Sequence, residues 1–153
     1  MKVAVGSDHA GFTLKERLKR ELTALGHTVV DVGTSSATES VDYPDFAIPV
    51  AEQVARGDVE RGVVLCATGI GASIAANKVN GVRAAVVTSD ETARLTRQDN
   101  DSNVLAVGGR TTANPEDAAR WLRIWLETPF AGGRHERRVR KIEDYESHHS
   151  LKG

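Results

Sequence analysis

Apolar residues along this chain come in short uninterrupted runs, separated by longer segments in which they recur every three or four positions. Runs of four or five predict buried strands, and the longer spacing predicts helices with one apolar stripe. Residues 2–6 form the first run, with Ser7-Asp8-His9-Ala10-Gly11 as its exit turn. Leu14, Leu18, Leu22 and Leu25 follow at spacings of four, four and three, which predicts a helix closed by Gly26. Residues 28–32 read as a β-branched second strand ending at Gly33, and residues 34–43 as a polar loop. Pro44 opens a helix with Ile48, Val50, Ala51 and Val54 as its apolar face, stopped at Gly57-Asp58.

The third strand, residues 62–65, runs into Cys66-Ala67-Thr68-Gly69-Ile70-Gly71 and then an alanine-rich helix broken at Gly81. Residues 84–87 read as a fourth strand, and Thr88-Ser89-Asp90-Glu91 as a capping box for a helix reaching about Gln98. Residues 104–107 give a fifth strand, ending in Gly108-Gly109-Arg110. Asn114-Pro115 is an N-cap with proline behind it, starting a helix that turns Ala118, Trp121, Leu122 and Trp125 inward. A basic stretch, Arg134 to Lys141, leads a last helix. The expected organisation is one domain over residues 1–145 and a frayed tail over 146–153.

Strands alternating with helices predict an α/β fold of three layers around a five-stranded, mostly parallel sheet. In such sheets ligands bind outside the carboxyl ends of the strands. Asp8-His9, Cys66 to Gly71, Ser89-Asp90 and Arg110 all fall at such ends, so they are expected to converge. The Gly-x-Gly turn after the third strand lets the backbone approach a ligand closely, and the following helix aims its free N–H groups there. That combination is an anion cradle with Cys66 at its lip.

Bulk properties narrow the function. At 153 residues the chain can bury a sizeable core without metals or disulfides. A net charge of −1 and 5% aromatic residues argue against a nucleic-acid or membrane-surface partner. One cysteine and no signal-like or membrane-length apolar run predict a cytoplasmic protein. The histidines are scattered, and no Cys/His cluster suggests a metal. The Gly-x-Gly turn lacks the third glycine of a dinucleotide fingerprint, Ile74 standing in its place, so no cofactor is expected. Taken singly, Cys66 could be a buried hydrophobe, Asp8 and His9 a loop pair, and Arg134 with Arg138 a solvated face.

Together these residues resemble the ribose-5-phosphate isomerase B / galactose-6-phosphate isomerase family of aldose–ketose isomerases. The likeness is carried by Gly6 to Gly11, Asp42-Tyr43-Pro44, Cys66 to Gly71 with Ala75-Ala76-Asn77-Lys78, Arg97 to Val104, and Gly132-Gly133-Arg134-His135, in the family's order. It implies a Rossmann-like fold and a homodimer whose active sites draw on both subunits, with a tetramer of two dimers left open. It implies metal-free proton transfer between C1 and C2 of a sugar phosphate through a cis-enediolate.

Carried over by position, Cys66 becomes the base, assisted by Thr68, and the backbone of Ala67, Gly69, Ile70 and Gly71 holds the enediolate oxygens. Asp8, His9 and Asn100 contact the sugar. His9, Arg134 and Arg138 hold the phosphate, with Arg110 close by. Thiols beside helix N-termini are acidified toward the range of a general base, which fits the first assignment.

One position departs from the pattern. Where the family has a histidine that opens the sugar ring, this chain has Asp99. Free aspartate titrates near pH 4 and is a poor acid for a ring oxygen at pH 7. Three readings stay open: a protonated Asp99, ring opening left to solvent, or a substrate without a ring. A tetrulose 4-phosphate, whose O4 is esterified, cannot close a furanose. Ribose 5-phosphate/ribulose 5-phosphate is the first expectation, with the tetrulose phosphate, a hexose 6-phosphate, or a silent sugar-phosphate-binding module as alternatives.

Overall fold

The computed structural model describes residues 1–148. Five strands, β1 (Lys2–Ser7), β2 (Thr28–Asp31), β3 (Arg61–Cys66), β4 (Ala84–Val86) and β5 (Val104–Gly108), pair in parallel throughout, in the order β2-β1-β3-β5-β4. The helices are α1 (Phe12–Ala24), α2 (Pro44–Arg56), α3 (Ile70–Asn77), α4 (Asp90–Asn100), α5 (Pro115–Glu127) and α6 (Arg134–His148), with a 3₁₀ turn at His9–Gly11. Parallel pairing follows from the crossover helices, since each strand must be re-entered from the same end.

Side chains alternate across a strand, so the sheet feeds two cores. Val3, Val5, Val63, Leu65, Leu105 and Val107 face α1 and α5, whose Leu14, Leu18, Leu22, Trp121, Leu122 and Trp125 complete one layer. Ala4, Val64, Cys66, Val104 and Ala106 face α2 and α3, meeting Val50, Val54, Ala72, Ala75 and Ala76. The second layer is built of smaller residues, which lets α3 sit close to the sheet. The strand runs and the four-three leucine stripe thus do what their spacing predicts.

Several expectations change in detail. On α2 the buried face is Ala47, Val50, Ala51 and Val54, while Ile48 is partly exposed. The cap of α4 is Ser89, whose hydroxyl accepts from the Thr92 N–H, so Thr92 rather than Glu91 completes the box. Helix α4 continues to Asn100 and closes on Asp101, which adopts a left-handed conformation (φ +47°). Helix α6 runs through residues 146–148, which the sequence pattern assigned to the tail; the remainder of that tail lies outside the described residues. Asn114 caps α5 as its motif predicts, accepting from the Glu116 N–H.

Candidate active site

The cradle forms where β1 and β3 lie side by side and their chains depart to opposite faces of the sheet, the position where parallel sheets open a crevice. Cys66, the last residue of β3, is 5% exposed. The chain then turns through Gly69 at φ +80°, a conformation that favours glycine. This turn brings the Gly69 N–H onto Cys66 Sγ at 3.2 Å, and the Ile70 N–H onto Thr68 Oγ1 at 3.1 Å. The helical ladder of α3 starts with Ser73 N–H donating to the Gly69 carbonyl, so the N–H groups of Gly71 and Ala72 precede it. Sulfur, a hydroxyl and the leading amides of α3 are gathered within one turn of chain.

Neighbouring strands fix this turn from both sides. From β5, Gly109 N–H donates to the Cys66 carbonyl at 2.8 Å and Arg110 N–H to the Ala67 carbonyl at 2.9 Å. A Cβ at Gly108 would stand 2.7 Å from the Thr68 carbonyl carbon, so this close approach requires glycine. From β1, the Asp8 N–H donates to the Leu65 carbonyl, and the Asp8 carboxylate caps the 3₁₀ turn by accepting from Gly11 N–H at 3.0 Å. His9 follows, with Nδ1 accepting from the Val41 N–H at 3.2 Å. That bond places the ring proton on Nε2, which remains a donor for an incoming anion or hydroxyl.

Two contributors were not assigned to the site from sequence. Tyr43, at the start of α2, lays its ring against the helix opening: a Cβ at Gly71 would meet Tyr43 Cζ at 2.7 Å. Gly108 is the other, and only strand pairing brings it to Thr68. Ser89-Asp90 moves the other way. Strand β4 is the sheet edge, beyond β5, and the Asp90 carboxylate is taken by Arg120 Nε at 2.9 Å, so this pair does not join the cradle.

The second group of expected site residues lies at the other end of the molecule. Helix α4 leaves the carboxyl end of β4 and runs back along the sheet, which delivers Asp99 and Asn100 to the amino end, just before β5 begins. Arg97 fixes that end: its buried guanidinium donates to the carbonyls of Thr128 and Ser102 and to the Asp101 carboxylate. Ala131 N–H donates to the Gln98 carbonyl, and His135 Nε2 stands 3.5 Å from Asp99 Oδ1. Arg134 and Arg138 are therefore at the amino end too, exposed, with no ion-pair partner among the described residues. An eleven-residue helix spans roughly 16 Å, so the Cys66 turn, with Arg110 beside it, and the pair Arg134 and Arg138 stand at opposite ends of the sheet.

No group of three or more His, Cys, Asp or Glu side chains among the described residues is placed to hold a metal ion. No described helix is long and apolar enough to cross a membrane.

Comparison with known proteins gives this geometry a family. Residues 3–142 match the model of a family described as Ribose/Galactose Isomerase. The chain is 46% identical to ribose-5-phosphate isomerase B of Escherichia coli, over 92% of this chain and 93% of that one. It is 38% identical to D-erythrulose-4-phosphate isomerase of Pectobacterium atrosepticum, over 95% of each. The structure of ribose-5-phosphate isomerase B from Clostridium thermocellum superposes with a TM-score of 0.94 at 48% identity, covering 98% of this chain and all of that one. The chain belongs to the ribose/galactose isomerase family.

Proposed function

We propose that this protein interconverts an aldose phosphate and its ketose, ribose 5-phosphate and ribulose 5-phosphate first, by proton transfer through a cis-enediolate. The observation that carries the reading is Cys66 Sγ held at the opening of α3 by the Gly69 N–H. In the aldose direction the Cys66 thiolate takes the proton from C2, and the C–H electron pair forms the C1–C2 double bond. The former carbonyl oxygen becomes the oxyanion, facing the amides of the turn. The O2–H proton passes to O1, which moves the oxyanion to O2. The O2 electron pair then forms the C2 carbonyl as the carbon-bound proton returns to C1, giving the ketose. Preorganised amides toward a developing oxyanion contribute a few kcal/mol each, and the Thr68 hydroxyl remains free to donate.

The separation of the two groups of residues supports a shared site. In a homodimer, Arg134, Arg138 and Asn100 of one subunit reach the cradle of the other, with Arg110 and His9 already beside it. The arginines would anchor the phosphate, a part of the substrate that does not react. A single isomerase domain over residues 1–145, working in the cytoplasm, completes the reading.

Asp99 favours a second reading, in which the natural substrate is a tetrulose 4-phosphate that never needs ring opening. The test of both is kcat/KM for ribose 5-phosphate and erythrulose 4-phosphate, on this chain and on Asp99→His, with solvent-deuterium exchange at C1 and C2. Preference for the tetrulose phosphate, with Asp99→His gaining chiefly on ribose 5-phosphate, selects the second reading. Turnover led by ribose 5-phosphate selects the first. Binding with no exchange at either carbon makes the protein a sugar-phosphate-binding module.

A further inference from the structure

The Asp99–His135 contact joins the last turn of α4 to the first turn of α6, at 3.5 Å and without a hydrogen bond in this state. Neither side chain has another polar partner among the described residues. Their exposures differ: the Asp99 side chain is 41% exposed and that of His135 only 15%. The carboxylate therefore faces outward and the imidazole stands behind it. Both supports are fixed, α4 through the bonds of Arg97 and α6 through Val139, which is buried, and through His135 N–H on the Gly132 carbonyl. Asn100 and Arg134 are the chain neighbours of the two residues, and Arg138 follows His135 by three positions on the same helix.

We propose that His135 is a positioning residue that aims the Asp99 carboxylate at a substrate hydroxyl and so selects sugar phosphates presented in open-chain form. This rests on the isomerase reading above and adds a specificity device to it. A carboxylate accepts hydrogen bonds and, in that state, cannot protonate a ring oxygen. It suits a substrate that arrives with its hydroxyls free and its carbonyl exposed. It gives nothing to the opening of a furanose. In the proposed device the imidazole N–H closes the 3.5 Å separation to a hydrogen bond when substrate binds. A carboxylate so held keeps one direction where a free one samples several rotamers.

The experiment compares the whole protein with His135→Ala, His135→Gln and Asp99→Asn on two substrates, erythrulose 4-phosphate and ribose 5-phosphate. A hydrogen bond to a charged group is worth about 1.5–3 kcal/mol, or about 10–100-fold. His135→Ala should lower kcat/KM for erythrulose 4-phosphate by about tenfold or more and leave ribose 5-phosphate within about threefold. His135→Gln, which keeps an N–H donor, should restore most of the loss. Asp99→Asn combined with His135→Ala should lose no more than the larger single variant, because the two act as one unit. An equal fall on both substrates, no fall, or a glutamine variant as poor as alanine would overturn the assignment while leaving the isomerase reading in place. Absence of turnover by the unmodified protein on both substrates would overturn both together.

Discussion

At the scale of single residues the proposed chemistry rests on Cys66 and the glycines that follow it. A thiol at a strand end is ordinarily inert packing, but here the backbone folds a donor onto its sulfur. Cys66→Ala should lower kcat by at least about 100-fold, the lower range for loss of a general base, while inorganic phosphate still competes for the site. A variant retaining more than a tenth of wild-type kcat would remove Cys66 from the reaction. Gly69→Ala is a backbone test. Its φ of +80° disfavours a side chain, and the added Cβ would lie 2.9 Å from the Val107 carbonyl carbon. Thermal unfolding should show a loss of about 1–3 kcal/mol, and kcat should fall because the amides move with the turn. Arg138→Ala should raise KM steeply with little change in kcat; an unchanged KM would take Arg138 out of the phosphate site.

Packing between elements adds a pH dependence. Lys15 on α1 is buried, and its ammonium donates to both oxygens of Asp31 on β2 (2.7 and 2.8 Å) and to the Thr34 carbonyl. Burial by itself pushes the Asp31 carboxyl up, but hydrogen bonds from Lys15, Lys19 and the Gly33 N–H overcome it and hold the group below its ordinary range. A carboxyl depressed in the folded state contributes stability above its unfolded value of about 3.9 and loses it as pH falls through the lower folded value. Asp31→Asn should therefore cost about 2 kcal/mol near pH 7 in urea unfolding. The gap to wild type should narrow as pH falls below about 3.9 and on through the lower folded value. A gap that stays constant across that range would mean the pair is not responsible. The ion pair ties α1 to the loop after β2, which carries the chain toward Val41, the donor to His9.

At the scale of the whole molecule the decisive feature is that the two groups of candidate site residues stand at opposite ends of one sheet. In the proposed homodimer a second copy would offer the missing group to each end, which makes subunit complementation the direct experiment. Cys66→Ala and Arg138→Ala chains, each poorly active alone at substrate well below the raised KM of Arg138→Ala, should recover activity when unfolded together and refolded as a mixture. Statistical pairing gives half the dimers as heterodimers, and each of these carries one site with both defects and one intact site. Recovery toward about a quarter of wild-type activity is the expected outcome. Mixtures no better than their components would mean that each chain supplies its own arginine, and sedimentation would then be expected to show monomers.

Local chemistry makes most of the fold legible in the sequence. Strand runs, the leucine stripe of α1, the Asn114-Pro115 cap and the C′ position of Gly26 (φ +88°) depend on neighbours within a few residues, and these were correctly placed. The cradle was also legible, because Cys66, Thr68, Gly69 and Gly71 lie within six residues and their geometry follows from one turn. Strand order was not. Nothing local says that β5 inserts between β3 and β4, and that insertion carries Ser89-Asp90 away while bringing Gly108 against Thr68. Tyr43 was hidden for the same reason, since its contact with Gly71 spans 28 residues of chain. The sequence by itself determined where chemically capable side chains lie along the chain. Tertiary structure alone decided which stand together, because a parallel crossover sends each helix back to the far end of the sheet and so parts Asp99, His135 and the arginines from the thiol.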